Sequence, residues 1–124
     1  MIRAVHTIVV TAAALLGAVA FAFADEQVEP DKGCDGGTYE MVDCLKAKTA
    51  QWDKRMNAAY QAVLKIAEGK QREQLRAAQR LWIQYRDANC LYYDLGEGSI
   101  ARIDASECMR NMTEARAHEL ETQK

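Results

Sequence analysis

Four cysteines are the residues best suited to chemistry in this chain of 124 residues. They are Cys34, Cys44, Cys90 and Cys108, and none belongs to a close C-x-x-C pair of the kind that zinc modules use. His118 is the one histidine that follows the apolar N-terminal stretch. In a small exported chain, an even number of cysteines favours disulfides. The sequence therefore predicts two disulfides, no metal site and no cofactor.

The pairing of these cysteines has alternatives, because four cysteines allow three connectivities. Pairing of sequence neighbours, Cys34 with Cys44 and Cys90 with Cys108, would tie the N-terminal tail to the first helix and clamp the last loop. Pairing of Cys44 with Cys90 is also compatible with an antiparallel hairpin, since both lie at similar chain distances from Gly69. We favour the neighbours, and each bridge is expected to add about 2–4 kcal/mol of stability.

The chain has few residues of the types and spacings that catalysis requires. Ser99 and Ser106 are the only serines and His118 lies near the C-terminus, so a Ser-His-acid triad would need improbable geometry. Disulfides would consume the thiolates that cysteine catalysis requires. Carboxylate pairs such as Asp94 and Glu97 could serve glycoside chemistry, but such pairs arise by chance among 18 acidic residues. We predict that the protein is not an enzyme.

Two segments are candidates for binding a protein partner. In residues 78–90, Gln79 and Arg86 could form a recognition patch, although a structural role is favoured because arginine packs its stem while pairing its head. Residues 94–103 are predicted to form a glycine-containing, acidic loop flanked by cysteines. A loop on a rigid scaffold is a common binding edge, and the alternative is a simple helix connection.

Hydrophobic periodicity places these segments on or between helices. Apolar residues at steps of three and four predict a first helix from Thr38, its expected N-cap, to a break at Gly69. A second helix runs from about Lys70 to Tyr92, and a third begins near Asp104 at a predicted capping box. The short break makes the first two helices an antiparallel hairpin. The predicted fold is all-α, a small three-helix bundle braced by two disulfides.

The aromatic residues on the apolar helix faces are assigned to the core rather than to a ligand-binding platform. These residues are Trp52, Tyr60, Trp82 and Tyr85, with Tyr92 on the same face as the last two.

The first 24 residues predict a cleavable secretory signal peptide. An apolar stretch from Thr7 to Phe23 ends in small residues at the positions that a signal peptidase reads, and it is marginal for a membrane span of about 20 residues. Residues 25–37 are predicted to form an acidic tail and residues 38–124 a helical domain. The expected location is periplasmic or secreted, with no membrane span after cleavage.

The charge balance excludes one class of partner. Removal of the leader takes Arg3 from the 16 basic residues and none from the 18 acidic residues, leaving a net charge of about −3. A weakly acidic chain argues against nucleic acid, whose recognition needs a basic face. It permits a basic protein partner without demanding one.

Four segments resemble the LprI-like lysozyme-inhibitor family of exported bacterial proteins. They are T-Y-E-M-V-D-C (38–44), M-N-A-A-Y (56–60), A-Q-R-L-W-I-Q-Y-R-D-A-N-C (78–90) and C-M-R-N-M-T-E-A-R (108–116). The resemblance covers nearly all of the chain after the leader, with the segments in the family's order. It implies a helical, cysteine-bridged envelope domain that blocks peptidoglycan-cleaving lysozyme. The founding inhibitor is a lipoprotein, whereas Cys34 here lacks the residues that precede a lipidated cysteine.

No site residue is carried over from the family. If the loop over residues 94–103 inserts into a cleft of the partner, Glu97 and Ser99 are the first expected contacts, with Arg102 nearby. Because a fold does not fix a function, the alternatives are a periplasmic envelope interaction module and a toxin-immunity protein, neither of which would inhibit lysozyme.

Overall fold

The computed structural model describes residues 33–123, which form three helices. α1 spans Thr38–Ile66, α2 spans Gly69–Asp94 and α3 spans Gly98–Thr122, and no strand occurs within residues 33–123. The all-α, disulfide-braced three-helix fold is therefore confirmed. The predicted signal peptide and most of the acidic tail lie outside the described residues.

The connection between α1 and α2 consists of Ala67 and Glu68 alone. Gly69 follows with a φ of +48°, a left-handed conformation that glycine adopts without the strain of a Cβ atom. Arg72 donates from Nε to the carbonyl oxygen of Ala67 at 2.8 Å, which satisfies an acceptor just beyond the end of α1. The break predicted at Gly69 is confirmed to within two residues.

The start of α3 was predicted wrongly. Only residues 95–97 separate α2 from α3, so the long loop over residues 94–103 does not exist and the capping box at Asp104 lies inside a helix. Gly98 has a φ of +77°, which lets the chain reverse at once, and Ala101 and Ile103 then bury their side chains in the first turns of α3. Burial of these apolar residues favours the earlier helix start.

α3 packs along both of the other helices. α1 and α2 run antiparallel and approach each other through a few side chains. Gln79 Nε2 lies 3.8 Å from the Met56 sulfur, and Arg86 Nη1 lies 3.9 Å from an Asp53 carboxylate oxygen. The predicted hairpin is thus closed mainly by α3, and it leaves a groove between α1 and α2 toward the disulfide end.

The central cluster of the core forms between α1 and α3. Met56, Ala59, Ala117 and Leu120 are all nearly inaccessible to solvent. Trp52, Tyr60, Leu75 and Trp82 pack around this cluster, so three of the four aromatic core assignments are confirmed.

Two aromatic residues do not lie in the core. Tyr85 is 62% exposed, so its assignment to the core was wrong, and Tyr92, which was predicted on the same face of α2, is 75% exposed. The inward stripe of α2 instead includes the polar side chains of Gln79 and Arg86, which find partners on α1 and α3. These partners cannot be read from the periodicity of one helix.

The disulfides pair sequence neighbours. Cys34 bonds to Cys44 and Cys90 to Cys108, with Cα atoms 5.6 and 5.5 Å apart. The favoured pairing is confirmed. Cys90 cannot reach Cys44 because the groove separates α1 from α2 at this level, whereas α3 packs directly on α2 and presents Cys108 to Cys90.

Removal of the Cys90–Cys108 bridge should destabilise the bundle by about 3 kcal/mol, because the bridge closes 18 residues and restricts the unfolded chain. The measurement is the free energy of unfolding in urea for the double variant Cys90→Ser, Cys108→Ser. The matched control, Cys34→Ser with Cys44→Ser, opens a loop of 10 residues and should lose a slightly smaller amount. Unchanged unfolding free energies in both would show that the bridges do not brace the fold.

Candidate functional site

An open groove with a volume of about 840 Å³ lies between α1 and α2 at the disulfide end, and α3 lines its base. Apolar lining comes from Val42, Leu91 and Met109. The charged lining residues are of both signs: Lys46, Asp53, Arg86, Asp87, Asp94 and Arg102. Apolar side chains flanked by charged ones are typical of protein–protein contact surfaces, so an open groove of this kind can accept a protruding segment of another protein.

Arg86 is the best-anchored charge in the groove. Its Nε and Nη2 donate to one Asp87 carboxylate oxygen at 2.9 and 2.8 Å, and Nη1 donates to the Thr113 hydroxyl at 3.4 Å. The guanidinium also lies 5.2 Å from the centre of the Trp82 ring. Its side chain is only 12% exposed, so Arg86 mainly joins α2 to α3 and presents Asp87 at the groove wall.

Gln79 is also held inside the bundle. It is 4% exposed, and its side-chain oxygen accepts a hydrogen bond from Arg116 Nε at 3.0 Å. Arg116 is itself buried and pairs with Glu119 at 2.7 Å. Gln79 and Arg86 therefore act as α2 anchors, in line with the structural interpretation of segment 78–90. Arg116 was missed as a partner, although its spacing of four residues from both Met112 and Leu120 places it on the apolar face of α3.

The remaining predicted contacts gather at one tip. Every residue from 91 to 100 is exposed, and the tip between α2 and α3 is formed by Leu95, Gly96 and Glu97. Ser99 lies in the first turn of α3 and Arg102 in the second, rather than in a loop. Arg102 lines the same groove as Arg86, Glu97 and Ser99 lie at or beside the tip, and Gln79 lies outside the groove lining.

Charge is distributed unequally along the bundle. The disulfide end, residues 33–50 and 87–110, carries eight carboxylates and four basic side chains. The opposite end, residues 51–86 and 111–123, carries six carboxylates and nine basic side chains, with histidine counted as neutral. The tip therefore belongs to the acidic end, which attracts basic surfaces, whereas the charged residues that line the groove are three basic and three acidic.

The described chain offers little for cofactor or metal chemistry. Within residues 33–123 no group of three or more His, Cys, Asp or Glu side chains could hold a metal ion. All four cysteines are consumed by the two disulfides. No helix in this part of the chain is both long and apolar enough to cross a membrane.

Fold and surface together define a small, disulfide-braced helical domain with an open, mixed-charge groove. Residues 31–120 match the family described as lysozyme inhibitor LprI, and the chain belongs to this family. The match includes all four cysteines and nearly the whole bundle, which confirms the resemblance of the four sequence segments. Comparison with curated proteins found no match, and neither did comparison with solved structures.

Loss of Arg116 should destabilise the bundle through Gln79. Arg116→Met keeps apolar packing but leaves the buried Gln79 oxygen without its donor, which should cost about 2–3 kcal/mol of unfolding free energy in urea. The double variant Gln79→Leu, Arg116→Met removes both polar partners and should recover most of that loss.

Arg110→Met is the matched control, since it breaks only a more exposed pair with Glu114 and should cost under about 1 kcal/mol. A double variant whose loss equalled the sum of the two single losses would show that Gln79 and Arg116 are not coupled.

Proposed function

We propose that this protein is an exported lysozyme inhibitor that acts by protein–protein contact from the acidic, disulfide-braced end of its bundle. The observation that carries the proposal is membership of the lysozyme inhibitor LprI family over residues 31–120. Two disulfides support an oxidising location outside the cytoplasm, which is where a lysozyme meets peptidoglycan.

The acidic end supplies electrostatic complementarity to such a partner. Lysozymes are commonly basic, and a carboxylate-rich surface accelerates the encounter with a basic protein. Asp94 and Glu97 lie at or beside the tip, and Asp87 lies about two helical turns before it in α2. Binding that depends on these charges should weaken as salt screens them.

The tip is a rigid protrusion whose shape suits insertion into a cleft of the partner. Three residues join two long helices, and the Cys90–Cys108 bridge lies behind them, so the tip is held in one conformation before binding. A preorganised protrusion loses little conformational entropy when it enters a cleft. Leu95 is 76% exposed at the apex, with Glu97 and Ser99 beside it. We propose Glu97 and Ser99 as contacts, with Arg102 at the rim of the groove.

The direct test is inhibition of cell-wall lysis. The oxidised, processed protein should inhibit a lysozyme saturably, and the reduced and alkylated protein should not, because the tip depends on its bridge. Assays should cover several lysozyme types with protein at roughly micromolar concentration. No inhibition by the folded protein in any of them would favour an envelope interaction module or a toxin-immunity protein, and the next experiment would be capture of its partner.

Once inhibition is measured, the tip can be tested separately. Glu97→Ala with Ser99→Ala should raise the inhibition constant by about tenfold or more, since truncated central contacts typically cost more than about 1 kcal/mol. Glu97 makes no side-chain cap to α3, so the variant should keep its fold. Glu73→Ala, an exposed carboxylate at the opposite end, is the matched control and should inhibit normally. An unchanged inhibition constant in the double variant would exclude the tip.

A further inference from the structure

The side of α2 that faces away from the bundle is apolar and uncharged. From residue 74 to residue 95 this outer face consists of Gln74, Ala77, Ala78, Leu81, Gln84, Tyr85, Ala88, Leu91, Tyr92 and Leu95. Its five large apolar side chains, Leu81, Tyr85, Leu91, Tyr92 and Leu95, are between 52% and 76% exposed. The charged residues of this stretch, such as Arg80 and Asp87, occupy other sides of the helix. Large apolar surface concentrated in this way marks an interaction site.

Six of these residues have the spacing of a coiled-coil seam. Ala78, Leu81, Tyr85, Ala88, Tyr92 and Leu95 recur at alternating steps of three and four, the pattern by which one helix packs its side chains between those of another. We call these six residues the outer seam. α2 uses a different set, including Gln79, Trp82 and Cys90, to pack within the bundle. The outer seam can therefore pack against a second helix that has the same spacing of apolar residues.

We propose that a second copy of this chain covers the outer seam, so that two α2 helices pair antiparallel about a two-fold axis between Tyr85 and Ala88. The pattern is self-complementary in this orientation, because every layer combines side chains of different size. Tyr85 of each copy meets Ala88 of the other, Leu81 meets Tyr92, and Ala78 meets Leu95. A parallel pair would instead stack alanine on alanine and tyrosine on tyrosine, which leaves voids beside crowded layers.

Charge selects the same orientation. The first half of α2 has a net positive charge, with four basic residues (Lys70, Arg72, Arg76 and Arg80) against Glu73. Its second half and the following tip have a net negative charge, with Asp87, Asp94 and Glu97 against Arg86. Antiparallel pairing lays the basic half of one copy beside the acidic half of the other. Parallel pairing would bring like charges together, which opposes association.

The available surface suits a reversible dimer. The outer seam extends for about 26 Å at 1.5 Å per residue. At the observed exposures its tyrosines and leucines offer on the order of 500 Å² per copy, and the smaller side chains add to this, against about 800 Å² per partner in a standard interface. This area is consistent with a dimer that dissociates in the micromolar range.

Sedimentation equilibrium of the oxidised, processed protein tests the proposal. The parent protein should show a monomer–dimer equilibrium, and Ala88→Glu should raise the dimer dissociation constant by about 100-fold or more, because it places two charges in the central layers. Ala88 is exposed in one copy, so the variant should retain its urea unfolding midpoint. Ile66→Glu, which adds a charge at another exposed apolar residue, is the matched control and should dimerise normally.

The antiparallel orientation of the two α2 helices is tested by measuring how the dimer dissociation constant changes with salt concentration. Between ionic strengths of about 0.01 M and 0.15 M the Debye length falls from about 30 Å to about 8 Å, so an antiparallel dimer should weaken. A dimer that tightened would overturn the antiparallel orientation. A parent protein that stays monomeric at millimolar concentration, or an Ala88→Glu variant that dimerises like the parent, would overturn the proposal itself. A monomeric parent whose Ala88→Glu variant loses lysozyme inhibition would assign the outer seam to lysozyme instead.

Discussion

Close packing of α3 against α1 is the interaction on which the rest of the structure depends. Ala59 and Ala117 are both buried at this contact, and their small side chains let the two helices approach while Met56 and Leu120 fill the space beside them. A domain of this size has few large side chains to spare for a second interface of the same kind. α2 is consequently held by other means, and the groove opens where α1 and α2 are not pressed together.

Those other means are a disulfide and inward-facing polar groups, which act together with the partly buried Leu75 and Trp82 of α2. The Cys90–Cys108 bridge fixes the end of α2 that carries the tip, and Gln79 and Arg86 join the middle of α2 to its neighbours. Buried polar groups of this kind stabilise only when their partners are in place, so they also specify how α2 is rotated about its axis. That rotation turns Tyr85 and Tyr92 outward. The same contacts that fix α2 in the bundle therefore also hold the tip and leave the apolar outer face exposed.

The two proposed surfaces occupy different sides of α2. Lysozyme contact is assigned to the tip and groove at the acidic end, and self-association to the outer seam. They meet at the end of α2, where Leu95 belongs to both, Leu91 of the outer face also lines the groove, and Asp94 and Glu97 contribute charge to both. Ala88 is exposed and lies outside the lining of the groove and the tip, so a substitution there tests self-association without removing a proposed lysozyme contact.

Much of this protein was predictable from residue types and spacing along the chain. The helical periodicity determined three helices, the even number of cysteines determined two bridges, and segments such as 78–90 indicated the family. These features depend on local geometry or on composition, so they can be predicted from the amino-acid sequence alone. The inward turn of Gln79 and Arg86, the outward turn of Tyr85, and the start of α3 at Gly98 were decided by tertiary structure. Each depends on a contact with a residue of another helix, and the periodicity of a single helix cannot predict that contact.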